Sequence, residues 1–196
     1  MLDLSPAAQE LIRVVAGVED DQLADPTPCE HTSVAGLLDH ITGLALAFTW
    51  AARKHRPADA GDGTPRADAA KLDPEWRSVL PPRLRELADA WRDPSAWEGE
   101  AMAGGVTLPG AVLGVVALDE LVMHGWDLSR ATGQSYHCDP VSAEAVLAFT
   151  TDAAQPDNAA MREGLFGPVV EVTDDAPAFE RALGLAGRDP AWAAAG

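Results

Sequence analysis

The chain has 196 residues, 47% hydrophobic and 23% charged, with a formal net charge of −17. That length suits one domain with a good core, or one domain plus a small appendage. The acidic balance argues against a nucleic-acid partner and against an anionic membrane face, since both need clustered Lys and Arg.

The N-terminus, "MLDLSPAAQE", lacks a basic stretch followed by an apolar one, so no export signal is expected. Cys29 and Cys138 are too few for a disulfide framework and show no metal spacing, which predicts reduced thiols in a cytoplasmic protein. Residues 101–118, "AMAGGVTLPGAVLGVVAL", carry no charge and need weighing as a membrane span. Gly104, Gly105, Pro109 and Gly110 interrupt the run, and Asp119 and Glu120 close it with acid rather than base, so a span is rejected.

The helix starts are legible in chain order. Ser5 as N-cap and Pro6 at the first helical position open a helix whose apolar side is Leu11, Ile12, Val14 and Val15. Pro26 and Pro28 keep the following segment extended. Ser33 caps a second helix that ends near Lys54, and residues 55–73 form a polar connection. A third helix begins at Asp73–Pro74 and runs to Trp91, with Pro81 and Pro82 expected to kink or split it. Residues 97–110 read as irregular or as a short extended pair. Pro109 opens a long helix that Gly133 stops, and Asp139–Pro140 starts a fifth helix. The tail holds one strand-like run, 168–172, and a helix over about 175–186. The chain therefore reads as mainly α: an up-and-down four-helix bundle over 1–155, with a small mixed α/β extension over 156–196 packed on it.

The candidate site lies in "LDELVMHGWDLSRATG", residues 118–133. With Glu120 at zero on a helical wheel, His124 falls at about +40° and Asp127 at about −20°. Leu113, Val116, Ala117 and Ala131 share that direction, and the opposite side is also apolar, so an acidic-imidazole stripe sits on an interior face. On the second helix, His40 stands among Leu37, Ile41, Leu44 and Phe48, with Gly43 and Ala47 leaving space beside it. Two imidazoles and one carboxylate would suit Zn²⁺, Ni²⁺, Fe²⁺ or Mn²⁺ with open positions, and Asp127 would orient His124. The same spacing also fits an i,i+4 surface pair and a satisfied core histidine, or an Asp127 that accepts from Arg130 or Trp126. His31, His55 and His137 read as solvated, and Cys29 as a packed small thiol with no base nearby.

At these residues the chain resembles the DinB-like metal-binding bundles, and specifically the actinobacterial branch related to mycothiol-dependent maleylpyruvate isomerase. The matching pieces are "PTPCEHTSVAGLLDHITG", "LDELVMHGWDLSRATGQ" and "FGPVVEV…GRDPAW". The resemblance implies His40, Glu120 and His124 as ligands of one divalent metal, usually zinc. It further implies a low-molecular-weight thiol such as mycothiol, and isomerisation or S-transfer onto a small electrophile. Arg130, Arg162 and Arg188 are candidates for holding the cofactor's or substrate's carboxylates or hydroxyls. Two alternatives stand beside the thiol transferase or isomerase: a non-catalytic metal- or ligand-binding bundle, and a thiol-independent metal hydrolase. The apolar long helix permits a homodimer without demanding one.

Overall fold

The computed structural model describes residues 1–58, 66–162 and 165–194. Helix α1 spans Ser5–Ala16, α2 Val34–Ala52, α3 Trp76–Ala90 and α4 Gly110–Ala131. These four close a ring in which α1 packs on α3 and α4, and α2 packs on the same two neighbours. Their core is Leu11 and Val14 of α1, Leu37 and Leu38 of α2, Leu80, Leu84 and Leu87 of α3, and Leu118 and Val122 of α4, all fully buried. Each such side chain stabilises the fold by about 1.5–3 kcal/mol relative to exposure.

The capping chemistry follows the sequence at Ser33 and departs from it at Ser5. The Ser33 hydroxyl accepts from the Gly36 amide at 3.3 Å, as a Ser N-cap should. Ser5, by contrast, is the first helical residue, and its amide donates to the Asp3 carboxylate at 2.9 Å, so Asp3 satisfies the free donor there. Pro81 and Pro82 lie inside α3 without splitting it. Burial of Trp76, Leu80 and Leu84 on both sides of the pair holds the helix continuous.

By length and composition α2 could cross a membrane, yet about two thirds of its most apolar window (67%) is buried inside the bundle. Its composition is that of a core helix. The uncharged run 101–118 divides between an antiparallel hairpin and the start of α4. Strand β1 (Glu100–Ala103) pairs with β2 (Val106–Pro109), Ala101 opposite Leu108. Gly104 and Gly105 make the turn at φ +58° and +80°, which a two-residue hairpin turn of this kind requires. The hairpin lies against α2 and the beginning of α4.

Beyond the bundle, α5 (Pro140–Ala153) is capped by Asp139, whose carboxylate accepts from the Ser142 amide at 3.1 Å. It packs on α4 and on α7 (Ala178–Leu185), while the short α6 (Ala159–Arg162) sits between them in sequence. Residues 168–172 form no strand with any described residue, and the Val170 amide donates to the Gly184 carbonyl at 2.9 Å. The tail is fastened to α4 by Arg130, which donates to the Trp192 carbonyl, and by Arg188, which reaches Asp127.

Candidate metal centre

Helices α2 and α4 bring His40, Glu120 and His124 together, and one ligand-type atom of each lies within 4.8 Å of the others. The two imidazoles stand edge to face, centroids 5.0 Å apart at 83°. His124 is held at both nitrogens: Nε2 lies 2.9 Å from Glu120 Oε2, and Nδ1 lies 3.1 Å from Asp127 Oδ2. Asp127 is fully buried, and the Arg188 guanidinium grips it through Nη2 to Oδ2 at 3.0 Å and Nε to Oδ1 at 3.4 Å. A third Arg188 bond, from Nη1 to the Ala186 carbonyl at 3.0 Å, fixes the guanidinium to its own backbone.

The charges follow from this network. Burial favours a neutral His124 ring, but hydrogen bonds to Asp127 and Glu120 outweigh it and push the ring up to about 10. Burial likewise opposes charge on Glu120 and Asp127. For Glu120 the His124 hydrogen bond wins, for Asp127 the Arg188 charge wins, and both carboxyls stay below their ordinary values. The cluster is thus an imidazolium between two carboxylates, one of which is neutralised from behind by Arg188. Two imidazoles and one carboxylate within one small volume form a donor set that suits a borderline divalent cation, because a cation can replace the proton that Nε2 and Glu120 now share. The donors fit such an ion.

A cavity of about 400 Å³ opens over the cluster, lined among others by Cys29, Asp119, Phe149, Phe166 and Arg188. Two of these residues were not legible as site residues. Asp119 lies about 100° off the ligand stripe on the wheel. The bundle nonetheless turns it into the cavity wall, 5% exposed, with Oδ1 lacking a hydrogen-bond partner among the described residues. Burial, reinforced by the neighbouring Glu120 charge, pushes its carboxyl up to about 8. Cys29 is half-buried in the loop before α2, and its sulfur lies within 4.8 Å of ligand-type atoms of His124 and Asp127. No base near it in sequence could have shown this, because the imidazole comes from almost a hundred residues downstream.

The three arginines part company. Arg188 reaches the site and is 8% exposed. Arg130 does not: it clamps the Trp192 carbonyl, and Asp127 accepts from Arg188 rather than from Arg130 or Trp126. Arg162 also lies outside this cavity, donating to the Gly167 carbonyl beside Phe166. Nothing local distinguishes the three in sequence. Only Arg188 is delivered inward, by the turn at Gly187 (φ +82°), where a Cβ would stand 2.8 Å from the Gly167 and Pro168 backbone.

The family described as mycothiol maleylpyruvate isomerase N-terminal domain matches residues 4–129, which include His40, Glu120, His124 and Asp127. Two uncharacterised proteins of Mycobacterium tuberculosis, from strains CDC 1551 / Oshkosh and ATCC 25618 / H37Rv, are each 30% identical over 136 residues. Each match covers 69% of this chain and 68% of the relative. The fold is similar to the crystal structure of a histidine-to-alanine mutant of mycothiol-dependent maleylpyruvate isomerase, with a TM-score of 0.58 and 19% identity. That likeness covers 76% of this chain and 66% of the isomerase chain. By the extent of the family match, the chain belongs to the mycothiol maleylpyruvate isomerase N-terminal domain family.

Proposed function

We propose that this chain is a divalent-metal-dependent thiol S-transferase or isomerase, using a mycothiol-type thiol against a small electrophile. The observation that carries the reading is the convergence of His40, Glu120 and His124 within 4.8 Å, at the floor of an open cavity. His40, Glu120 and His124 would hold the ion, with zinc the best match to two imidazoles and a carboxylate. When bound, such an ion lowers the pKa of a coordinated thiol and presents a thiolate at neutral pH.

The protein's own groups then do the rest. Asp127 holds the Nδ1 side of His124, which would leave Nε2 as the atom to hold an ion. Arg188 keeps Asp127 ionised while lining the cavity, where its cationic edge suits a carboxylate or carbonyl oxygen of a ligand. Addition of a thiol sulfur to an activated alkene forms a C–S bond and leaves an electron pair on the neighbouring carbon, which must take up a proton. Asp119 keeps its proton near neutral pH, lines the cavity and has one carboxyl oxygen unpartnered among the described residues, so it is the group placed to supply that proton. Loss of the proton back to Asp119 and expulsion of the sulfur would complete an isomerisation. Asp127 is unavailable as the general base of a hydrolase, being committed to His124 and Arg188.

The test is elemental analysis of wild type beside His40→Ala and Glu120→Ala, followed by assays of thiol consumption with activated alkenes. About one divalent ion per chain, lost in both variants while the helical signal persists, and thiol-dependent turnover are the expected results. A folded wild type that stays metal-free after reconstitution with Zn²⁺, Ni²⁺, Fe²⁺ and Mn²⁺ would leave only a binding protein. Turnover that needs the metal but no thiol would point to a hydrolase.

A further inference from the structure

A second cavity, of about 530 Å³, adjoins the His40–Glu120–His124 cluster and differs from the first in chemistry. It shares Leu44, Val116, Glu120 and Leu165 with the cavity over the cluster. From Glu120 it follows the two facing helices away from the ligands. On α4 its wall is Val116, Leu113 and Val112, one to two turns before Glu120; on α2 it is Leu44, Ala47 and Phe48, one to two turns after His40. Eight residues of helix span roughly 12 Å. The hairpin closes the far side with Ala103, Val106 and Leu108.

Glu120 is the only ionisable residue among the described residues of this wall. The volume lies in the range of small-molecule sites, which are mostly apolar with a few placed polar groups. Val106, Val112 and Leu165 at its edge are 54%, 37% and 40% exposed. Large apolar side chains left open to water around a concavity that ends on a reactive cluster mark a ligand groove better than a folding accident.

We infer that this cavity is the electrophile subsite, and that the electrophile is a neutral molecule with an extended apolar body rather than a dicarboxylate. No cationic side chain lines this wall among the described residues, so the body of a dicarboxylate would be desolvated along it without a counter-charge, at a cost of several kcal/mol. An alkyl or aryl body loses nothing and places its reactive carbon beside the cluster. The assignment rests on the thiol-transfer reading only for the identity of the reaction; the cavity's preference for apolar matter is independent of metal and thiol.

The test uses unreactive N-alkylsuccinimides, from methyl to octyl, titrated by calorimetry into metal-free and zinc-loaded protein. Affinity should rise about fourfold per added methylene until the cavity is filled, with and without zinc. Val112→Glu and Val106→Glu, both at exposed positions, should each weaken the octyl compound at least tenfold, with the helical signal unchanged. Maleate should not displace the octyl compound. Affinity independent of chain length, displacement by maleate, or indifference to both variants would overturn the assignment. So would a stable dimer that Val112→Glu splits while no succinimide binds, because the apolar edge would then be a self-interface. Reactive N-alkylmaleimides with a thiol separate the two ideas: succinimide binding without any thiol transfer would sink the proposed reaction and leave the subsite standing.

Discussion

Replacing Asp127 by Asn keeps the shape of the side chain and removes its charge from the most buried point of the site. In the wild type its two carboxylate oxygens accept from three N–H groups, one from His124 and two from Arg188. An Asn offers a single acceptor oxygen, and its amide must face either the His124 Nδ1–H or the Arg188 guanidinium. One buried donor therefore meets another, and Arg188, 8% exposed, loses its counter-charge. Breaking one half of a buried pair costs about 3–5 kcal/mol. Most of that belongs to the stranded guanidinium, so Asp127→Asn in an Arg188→Met background should cost only about 1–3 kcal/mol, the price of the remaining unsatisfied donor. The coupling between the two sites should then be about 2 kcal/mol. Zinc affinity of Asp127→Asn should fall by about 10–100-fold, since the imidazole loses the group that orients it. Urea denaturation of the metal-free proteins gives the first quantity, and competition with a chromophoric chelator the second. A loss below about 1 kcal/mol, with additive effects and unchanged zinc affinity, would refute the idea that Asp127 is both keystone and orienter.

Three further outcomes are expected. Because the His124 ring is pushed up to about 10, zinc must displace its proton at pH 7. Affinity should therefore rise with pH by up to tenfold per unit and level off near 10, and calorimetry in buffers of different ionisation enthalpy should show about one proton released per ion. Asp119 binds its proton more tightly folded than unfolded, with a folded value of about 8 against an ordinary 3.8. The folded state then holds a proton that the unfolded chain releases between about pH 4 and 8, so Asp119 weakens the metal-free fold progressively across that window. Asp119→Asn should stabilise the metal-free protein by an amount that grows from pH 4 to 8 and then stays constant; a gain independent of pH would count against this. Gly187→Ala should cost about 1–3 kcal/mol through its positive φ and the 2.8 Å approach to residues 167 and 168. It should also reduce zinc affinity by displacing Arg188 from Asp127, whereas an Ala substitution of Gly133, whose Cβ would meet nothing within 4 Å, should leave zinc binding unchanged.

Much of this architecture follows from local chemistry. Helix α2 begins where Ser33 can cap it, α5 where Asp139 can, and the paired glycines at 104 and 105 dictate the hairpin turn. The 3.6-residue period alone puts Glu120, His124 and Asp127 on one stripe of α4, since side chains three and four apart share a helix face. His40 was legible as a lone imidazole in an apolar stripe. Its distance from His124 was not, because pairing of α2 with α4 is a property of the packed ring and leaves no trace in either helix's own pattern.

The same limit explains the arginines and the acids. Arg130, Arg162 and Arg188 are equivalent as text, and all three can pair with nearby carboxylates or carbonyls. Only the folded tail, turned by Gly187 and laid along α5, delivers Arg188 to Asp127 and leaves Arg130 at the Trp192 carbonyl. Asp119 reads as off the stripe on an isolated helix, yet in the fold it is 5% exposed and shares a cavity wall with residues of the loop before α2 and of the tail. By itself, then, the amino-acid order determined the helices, their buried faces and the ligand-type residues on each, because these depend on contacts within a few residues. Tertiary structure alone decided which of those groups share one volume, which charges are neutralised and which cavity stays apolar, because these depend on distances between segments far apart in the chain.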